Sequence, residues 1–333
     1  MRTKIVYDVI STLEDVYFEQ VWASAWTMKY FNVDAHIILL TDASTRETIN
    51  TQSRRKSLPF FDEIIVVDFD KEYTNKEKSR YIKTKMRYLV SGDFLFVDAD
   101  TIITGGIEEI DKIACDGVCA VLDHHCKSKE ICEFPIFKAM YIEPMNRIFG
   151  VDYKDTTDVY NSGVLLVKES EKAFEIFDLW HKNWLISREK GECRDQLALT
   201  VTCQQLANPI NTLSGIFNCQ IRLSVEYLYD AKIIHTFATQ VSSDISKFFD
   251  DRVYRKIKEI KDISEDVSCQ LLNCKRLFSS PSFLVDKSWL DIRFMPAYLL
   301  ISEKRNSSKC RDLVAIKMIN FLARVILFIL RKL

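Results

Sequence analysis

The feature that most constrains the fold is an alternation of short apolar runs with helix-like segments over the first 240 residues. Each run has three to seven residues rich in Val, Ile, Leu or Phe, which is typical of strands buried on both faces of a sheet. The runs lie at residues 4–10, 36–40, 64–67, 94–97, 118–122, 163–167 and 232–234. Strands separated by helices predict an α/β fold with a largely parallel sheet.

Helical periodicity marks the segments between these runs. After the first run, one helix face carries Phe18, Val21, Trp22, Ala25 and Trp26. Further helices are predicted at residues 79–90, 170–187 and 193–206, and a charged helix at 251–266. The change of character near residue 250 predicts a first domain over residues 1–250 and a small helical extension over residues 251–333.

Composition indicates a folded protein without a general preference for polyanions. The 333 residues are 47% apolar and 12% aromatic, which is enough for a sizeable core and argues against disorder. The formal net charge of -1 gives no overall attraction to nucleic acid, so no nucleic-acid partner is predicted.

The ten cysteines are scattered, and the N-terminal segment MRTKIVYDVI reads as a strand and not as a secretion signal. Free thiols in a reducing cytosol are therefore expected. A zinc site remains an alternative where cysteines and histidines are densest, although the spacing matches no standard zinc motif. That group comprises Cys115, Cys119, His124, His125, Cys126 and Cys132.

The segment FLFVDADTII, residues 94–103, carries the clearest functional pattern. It places Asp98 and Asp100 at the carboxyl end of a buried strand, where open α/β sheets bind ligands. Two close carboxylates repel each other unless they share a cation, and oxygen ligands suit Mg²⁺ or Mn²⁺. His235 follows another apolar run, and an imidazole ligand would favour Mn²⁺ over Mg²⁺. An Asp-x-Asp that only caps a turn is the alternative.

Together these residues resemble glycosyltransferase family 8, which includes glycogenin and bacterial lipopolysaccharide and lipooligosaccharide galactosyl- and glucosyltransferases. The resemblance covers residues 3–240 and rests on six segments in the family's order. They are DVY (15–17), TKM (84–86), FLFVDADTII (94–103), NSGVLLV (161–167), DQLAL (195–199) and the histidine of IIHTF (233–237). The family implies a GT-A fold, a UDP-sugar donor, Mn²⁺ and retention of the anomeric configuration.

The resemblance also implies a role for each matched residue. The metal ligands would be Asp98, Asp100 and His235. The donor would be held by Asp98, by Tyr17 stacked on the uracil, by Thr12 in the nucleotide pocket, and by Lys85 or, as second choice, Lys83. The transferred sugar would be surrounded by Asp123, Asn161, Asp195 and Gln196. Whether Asp195 or Gln196 attacks the sugar covalently stays open.

These residue types suit the chemistry of sugar transfer. A departing nucleoside diphosphate accumulates negative charge, which a divalent cation and a lysine stabilise. Each residue also has a structural interpretation. Asn161 could start a turn, Asp195 could complement a helix dipole, and Tyr17 could belong to a core face.

One segment departs from the family pattern. The family follows its histidine with a glycine and then Lys-Pro-Trp, whereas residues 235–249 read HTFATQVSSDISKFF. Lys247 and Arg252 are the candidates to replace the missing lysine.

The C-terminal segment 311–333 is apolar with a basic stripe that includes Lys317, Arg324 and Arg331. Spanning a bilayer would bury cations in hydrocarbon, whereas a helix lying at the interface would keep them among lipid headgroups. We therefore expect peripheral association with the cytoplasmic face of the cell membrane. A helix packed on the protein core or at a dimer interface is the alternative.

The predicted function is retaining transfer of a hexose from a UDP-sugar to a glycan or lipid-linked acceptor, in surface polysaccharide or lipopolysaccharide synthesis. A sugar-nucleotide nucleotidyltransferase would share the fold, but it needs a glycine-rich basic loop that ISTLEDVYFE, residues 10–19, lacks. A membrane-associated protein that binds a nucleotide-sugar without turnover is the other alternative.

Overall fold

The computed structural model describes residues 1–69, 72–221, 226–237 and 250–279, together with residues 317, 318 and 322. The chain divides into two compact units, Met1–Ser279 and Ser280–Leu333. In the second unit, Lys317, Met318 and Leu322 are helical and exposed, and the rest of the predicted membrane-associating segment 311–333 lies outside the described residues. Within the described part of the chain, every helix is too short or too polar to cross a membrane.

The first unit is built on two sheets. The strands are β1 (Lys4–Asp8), β2 (Ile37–Thr41), β3 (Glu63–Val66), β4 (Phe94–Val97), β5 (Thr101–Ile103), β6 (Val118–Leu122), β7 (Tyr160–Val167), β8 (Asn211–Thr212), β9 (Cys219–Gln220) and β10 (Ile233–His235). Seven strands form a sheet in the order β3-β2-β1-β4-β7-β6-β8, and β5-β10-β9 form a smaller one. Strands β1 to β4 are parallel to one another, and β7 runs antiparallel to both β4 and β6.

Helices separate and follow the strands. The α-helices are α1 (Tyr17–Phe31), α2 (Ala43–Ile49), α3 (Asn75–Leu89), α4 (Ser128–Ile131), α5 (Pro135–Phe137), α6 (Glu143–Phe149), α7 (Glu171–Glu189), α8 (Asp195–Gln205), α9 (Arg255–Ile260), α10 (Glu265–Leu272) and α11 (Cys274–Phe278). Short 3₁₀ segments lie at Arg55–Phe60, Glu108–Lys112, Asp123–His125 and Gly215–Phe217, and π-helical segments at Lys138–Ile142 and Asp250–Tyr254.

The large sheet is buried on both faces. Along β4, Leu95 and Val97 belong to an apolar cluster that includes α1, whereas Phe94 and Phe96 belong to a second cluster that includes α3, α7 and α8. Successive side chains of a strand point to opposite faces, so an uninterrupted apolar run fills both clusters. The predicted α/β class, with a mostly parallel, Rossmann-like sheet covered on both sides, is confirmed.

Helix α3 is positioned by its first turn. The hydroxyl of Thr74 accepts a hydrogen bond from the Glu77 amide at 3.3 Å, and the Glu77 carboxylate accepts one from the Thr74 amide at 2.8 Å. This reciprocal capping box fixes where the helix starts. Ile82 and Met86 of this helix are fully buried in the second cluster, and this packing sets the rotation of α3 against the sheet.

The boundary predicted near residue 250 lies instead after Ser279. The side chains of Val253, Ile257 and Val267 are fully buried in the same cluster as α1, so residues 250–279 are part of the first unit. The single helix predicted over residues 251–266 is also wrong. Lys261 adopts a left-handed conformation (φ 58°) that ends α9, and Ser264 caps α10 by accepting a hydrogen bond from the Val267 amide.

The cysteines differ from the expectation of free thiols at one place. Cys115 and Cys119 are paired as a disulfide, whereas Cys126 and Cys132 are free. Among the described residues, the group of His, Cys, Asp or Glu side chains with metal-binding geometry does not include these cysteines.

Candidate active site

A cleft of about 600 Å³ opens at one edge of the large sheet. Strands β1 and β4 end there and supply Asp8, Asp98 and Asp100. Because β7 runs antiparallel to β4, its first residues, including Asn161, reach the same edge. The other lining residues used below come from the two residues after β1, from α1, α3 and the start of α8, and from the end of β10.

Asp98, Asp100 and His235 converge in this cleft. One ligand atom from each lies within 4.8 Å of the other two, with His235 Nε2 3.2 Å from Asp100 Oδ1 and 4.0 Å from Asp98 Oδ2. Burial disfavours the charged form of His235, but the carboxylates of Asp100 and Asp98 together outweigh it and raise the pKa of the imidazole. Burial would raise the pKa of Asp100, but His235, a backbone hydrogen bond and Lys83 together outweigh it, so the net pKa is lowered. The arrangement is one in which positive charge is favoured between the two carboxylates.

A chain of hydrogen bonds orients His235 from behind. The carboxylate of Asp123 can only accept, and its Oδ1 receives a hydrogen bond from Asn161 Nδ2 at 3.2 Å. Asn161 Oδ1 then accepts from Asn218 Nδ2 at 2.9 Å, which leaves Asn218 Oδ1 facing His235 Nδ1 at 3.2 Å. Nδ1 therefore carries a hydrogen, and Nε2 is the nitrogen that faces the carboxylates.

This geometry fits a divalent cation. An unprotonated Nε2 beside Asp100 would bring two lone pairs together, so the site is stable with either a proton or a cation between them. Two carboxylates and an imidazole whose other nitrogen is held by an amide are a donor set suited to Mn²⁺ or a similar ion. Asp98, Asp100 and His235 are the residues that would hold it.

Gly163 makes room for the imidazole. A Cβ atom on Gly163 would lie 2.4 Å from His235 Cε1 and 2.9 Å from Asn161 Oδ1. The Gly163 carbonyl also accepts a hydrogen bond from the Asp98 amide at 2.7 Å. Glycine at position 163 therefore lets β7 approach both Asp98 and His235. This explains why the segment NSG has glycine at its third position.

A second charged group lies beside the first. Lys83 is 2% exposed, and its Nζ lies 2.9 Å from Asp98 Oδ1 and 3.5 Å from Asp195 Oδ2. Arg80 Nε lies 2.8 Å from Asp195 Oδ1, and Ser162 Oγ donates to Asp195 Oδ2 at 2.7 Å. Burial alone would raise the pKa of Asp195, but Lys83 and Arg80 hold it well below its usual range. Asp195 is therefore an ionised carboxylate that orients both cations.

Helix geometry places Lys83, the second choice, in the cleft and Lys85 outside it. Two residues along an α-helix are separated by about 200° of rotation, so the side chains face opposite directions. Lys83 lines the cleft, whereas Lys85 lies outside it with Nζ 4.9 Å from the centre of the Tyr88 ring. Of the two candidates, Lys83 is the one in contact with Asp98.

Tyr141 links two of the four residues implied around a transferred sugar, Asp123 and Gln196. Its hydroxyl donates to Asp123 Oδ2 at 2.8 Å and accepts from Gln196 Nε2 at 2.6 Å. Asn161, Asp195 and Gln196 line the cleft, whereas Asp123 lies behind them and does not. Asp123 thus orients Asn161 and Tyr141, which donate hydrogen bonds to it, and does not itself face the cleft.

Part of the cleft lining is uncharged. Tyr17, at the start of α1, lines it together with Val9 and Ile10, and the tyrosine is 43% exposed. Thr12 does not line the cleft, since its backbone amide and hydroxyl both donate to Asp15 Oδ2, at 2.8 and 3.1 Å. Thr12 therefore shapes the loop before Tyr17.

Sequence reasoning missed several cleft residues. Asp8 ends the first strand, as Asp98 ends β4, so the strand-end rule would have found it. Arg80 precedes Lys83 by three residues, which helical spacing places on the same face. Gln20 carried no sequence signal, nor did Asn218, which lies behind the cleft and reaches His235 through tertiary contacts.

The candidates for the missing family lysine do not enter the described cleft. Lys247 lies outside the described residues, and Arg252 is exposed and does not line the cavity. The described cations of the cleft are Lys76, Arg80 and Lys83.

No protein-family model matches the chain, and no curated protein sequence matches it. Solved structures with a similar fold include the glycosyltransferase GlyE of Streptococcus pneumoniae TIGR4 (16% identity, TM-score 0.43, covering 70% of this chain and 54% of GlyE). A second is the bifunctional glycosyltransferase WbbM, with 13% identity and a TM-score of 0.48, covering 70% of this chain and 45% of WbbM. A third is galactosyltransferase LgtC in complex with donor and acceptor sugar analogues, with 13% identity and a TM-score of 0.46, covering 70% of this chain and 86% of LgtC. The matched region thus spans about half of GlyE and of WbbM.

Proposed function

We propose that this chain is a divalent-cation-dependent glycosyltransferase of the GT-A type that uses a UDP-sugar donor. The observation that carries the proposal is the convergence of Asp98, Asp100 and His235 in one cleft with the buried Lys83 beside them. Two carboxylates and an imidazole suit Mn²⁺, and the same cleft holds cations for a diphosphate. The six sequence segments that resemble glycosyltransferase family 8 support this assignment.

Different residues of the cleft would bind different parts of the donor. A cation held by the two aspartates and His235 would stabilise the charge on a leaving diphosphate as a Lewis acid. Lys83 and Arg80 would add fixed positive charge next to the same group, held in place by Asp195. Tyr17 would stack on the base, while Asn161 and Gln196 would orient the sugar hydroxyls.

Retention of configuration is part of the proposal. Both oxygens of Asp195 already lie close to a cation, and one also accepts from Ser162. Asp195 is thus committed to orienting Lys83 and Arg80, which favours attack by the acceptor on the face from which the diphosphate leaves. Gln196 would then bind the sugar and would not attack it.

The acceptor side of the proposal rests on the C-terminal segment. The basic stripe of residues 311–333 would place the enzyme on the inner face of the cell membrane, where lipid-linked saccharides are built. Removing residues 311–333 should release the protein from vesicles that contain anionic lipid. Retained binding would exclude this segment as the anchor.

The donor reaction is tested by hydrolysis of UDP-glucose, UDP-galactose and their N-acetyl forms, each with Mn²⁺ or with EDTA. We expect slow hydrolysis of at least one donor with Mn²⁺ and none with EDTA. Asp100→Asn should abolish turnover, whereas the matched variant Asp116→Asn, on the loop before β6, should not. Binding of UDP-sugars without turnover of any of them, also with saccharide acceptors, would establish a non-catalytic binding protein instead.

A further inference from the structure

The strongest unexplained group in the cleft is Gln20, on α1 one turn after Tyr17. Its side chain is 1% exposed and lines the cavity, and neither Nε2 nor Oε1 has a hydrogen-bond partner among the described residues. Burying an unpaired amide destabilises a fold, and native proteins almost always provide a partner. An amide that is buried, unpaired and at the wall of a cavity indicates a ligand that supplies the missing partner.

Helical spacing places Gln20 within the cleft. Tyr17, Gln20 and Ser24 follow at i, i+3 and i+7, which is one face of a helix. Ser24 Oγ lies 2.8 Å from Thr101 Oγ1, and Thr101 directly follows Asp100. Gln20 therefore lies between the ring of Tyr17 and the strand that follows the acidic pair.

The neighbour Glu19 does not provide the missing partner. Its carboxylate is paired with Arg54, with Nε 2.9 Å from Oε1 and Nη2 3.2 Å from Oε2. Adjacent residues of a helix point about 100° apart, so the side chains of Glu19 and Gln20 lie in different environments. The Glu19 side is closed by an ion pair, and the Gln20 side faces the cavity.

We propose that the amide of Gln20 pairs with the edge of the donor's nucleobase, while Tyr17 stacks on its face. This inference rests on the proposed function. A primary amide offers a donor and an acceptor in one plane, which matches the N3–H and a carbonyl oxygen of uracil. Val9, Ile10 and Tyr17 supply apolar surface for a planar ring, whereas the cations for a diphosphate, Arg80 and Lys83, lie beside the acidic groups.

The amide chemistry predicts what each substitution removes. Gln20→Glu still accepts from uracil N3–H but loses the amide donor, and its second oxygen then faces a uracil carbonyl oxygen. Gln20→Met keeps the volume of the side chain and removes both hydrogen bonds. Because it also removes an unpaired buried amide, Gln20→Met should not destabilise the ligand-free protein.

The experiment measures binding of UDP and inorganic pyrophosphate, each with Mn²⁺, to the full chain by calorimetry, with the Tm of each ligand-free variant. For Gln20→Met we expect UDP affinity to fall about tenfold, pyrophosphate affinity to stay unchanged and Tm to be equal or higher. For Gln20→Glu UDP affinity should also fall at least about tenfold, because the donor to the uracil carbonyl oxygen is replaced by a carboxylate oxygen. Gln270→Met is the matched control, since Gln270 Oε1 also lacks a partner but does not line the cleft.

The outcomes separate this inference from the proposed function. Wild-type protein that binds neither UDP nor pyrophosphate with Mn²⁺ would remove both. If the wild type binds UDP and Gln20→Met binds it equally well, or loses pyrophosphate to the same extent, base reading by Gln20 is wrong and the proposed function stands. A lower Tm of Gln20→Met with unchanged UDP affinity would assign Gln20 to the core.

Discussion

Nδ1 of His235 lies 3.2 Å from Oδ1 of Asn218, and this contact decides which imidazole nitrogen faces the acidic pair. Asn218 can present its oxygen only because its Nδ2 donates to Asn161, which is fixed in turn by Asp123. The orientation of His235, the candidate metal ligand, is therefore set by the carboxylate of Asp123 through three successive hydrogen bonds. Groups that orient a ligand in this way contribute strongly to metal affinity.

Asn218→Leu should weaken Mn²⁺ binding by about 10- to 100-fold, since it leaves His235 Nδ1 without an acceptor. Calorimetric titration with Mn²⁺ measures the effect. Asn183→Leu is the matched control, because Asn183 is also buried and hydrogen-bonded but lies on α7, bonded to Thr202 and Gln205. Equal Mn²⁺ affinity in the two variants would show that Asn218 has no influence on the site.

Gly163→Ala should also weaken Mn²⁺ binding by about 10- to 100-fold, because the new Cβ would meet His235 Cε1 at 2.4 Å and displace the ring. Gly105→Ala serves as control, since its nearest neighbour is the flexible Lys232 side chain, with Cδ at 3.2 Å. Mn²⁺ affinity and Tm are measured for both. An unchanged Mn²⁺ affinity in Gly163→Ala would mean that the imidazole is not a ligand.

Lys83→Met should separate metal binding from diphosphate binding. Removing Lys83 frees Asp98 from its 2.9 Å ion pair, so Mn²⁺ alone should bind as tightly as before or more tightly. UDP affinity in the presence of Mn²⁺ should fall about 10- to 100-fold, since a charged hydrogen-bond donor is lost. Lys85→Met should change neither affinity. Loss of UDP affinity in Lys85→Met but not in Lys83→Met would show that Lys85 binds the diphosphate, as the sequence first suggested.

Sequence reasoning found the residues whose position follows from strand ends. Asp98 and Asp100 end β4 and His235 ends β10, and strand ends meet at one sheet edge. It preferred Lys85, whereas the structure places Lys83 in the cleft, because a segment match does not specify the rotation of a helix. That rotation depends on the packing of Ile82 and Met86, which are fully buried against the sheet.

Contacts between distant segments could not be predicted in this way. Asn218 is 57 residues from Asn161, and nothing in the local pattern around either residue marks the contact. Gln20 reads as an ordinary polar residue on a helix until its burial is known. The boundary of the first unit was predicted too early for the same reason. Residues 251–266 are mostly charged in sequence, and their pattern does not show that Val253 and Ile257 are buried.

The buried ion pair between Arg54 and Glu19 should dominate the stability of the loop before Tyr17. Arg54 also donates to the carbonyl of Thr12 at 2.7 Å, and both charged side chains are almost fully buried. Arg54→Met should lower the free energy of unfolding by about 3–5 kcal/mol, because Glu19 would be left as an uncompensated charge. Urea unfolding measures this change.

The double variant Arg54→Met with Glu19→Met should lose less stability than the two single variants added together, since no unpaired charge remains. Lys56→Met, which removes an exposed pair with Asp262, should change the free energy of unfolding by less than about 1 kcal/mol. Additive losses in the double variant would contradict the assignment of the single-variant losses to an isolated buried charge.

Asp8 should make the metal-free protein less stable as the pH rises. Burial, which outweighs the opposing charge of Lys83, raises the pKa of Asp8 to about 6, above an unfolded value of about 3.9. A raised carboxyl pKa contributes stability below the unfolded pKa, and this contribution is lost as the pH rises through about 6. The stability advantage of Asp8→Asn over wild type should therefore grow between pH 4 and pH 7, by about 2 kcal/mol.

Urea unfolding in EDTA across this pH range measures the difference, and Asp42→Asn gives a control of opposite sign. Burial raises the pKa of Asp42, but hydrogen bonds from Lys78 and Thr45 outweigh it, so its net pKa is lowered. Asp42 thus contributes stability above its unfolded pKa that is lost in acid, and Asp42→Asn should fall further below wild type as the pH rises. Loading the site with Mn²⁺ should reduce the pH dependence due to Asp8, because a cation near Asp98 favours the ionised carboxylate. A stability difference between Asp8→Asn and wild type that stays constant from pH 4 to pH 7 would mean that Asp8 titrates normally in the folded protein.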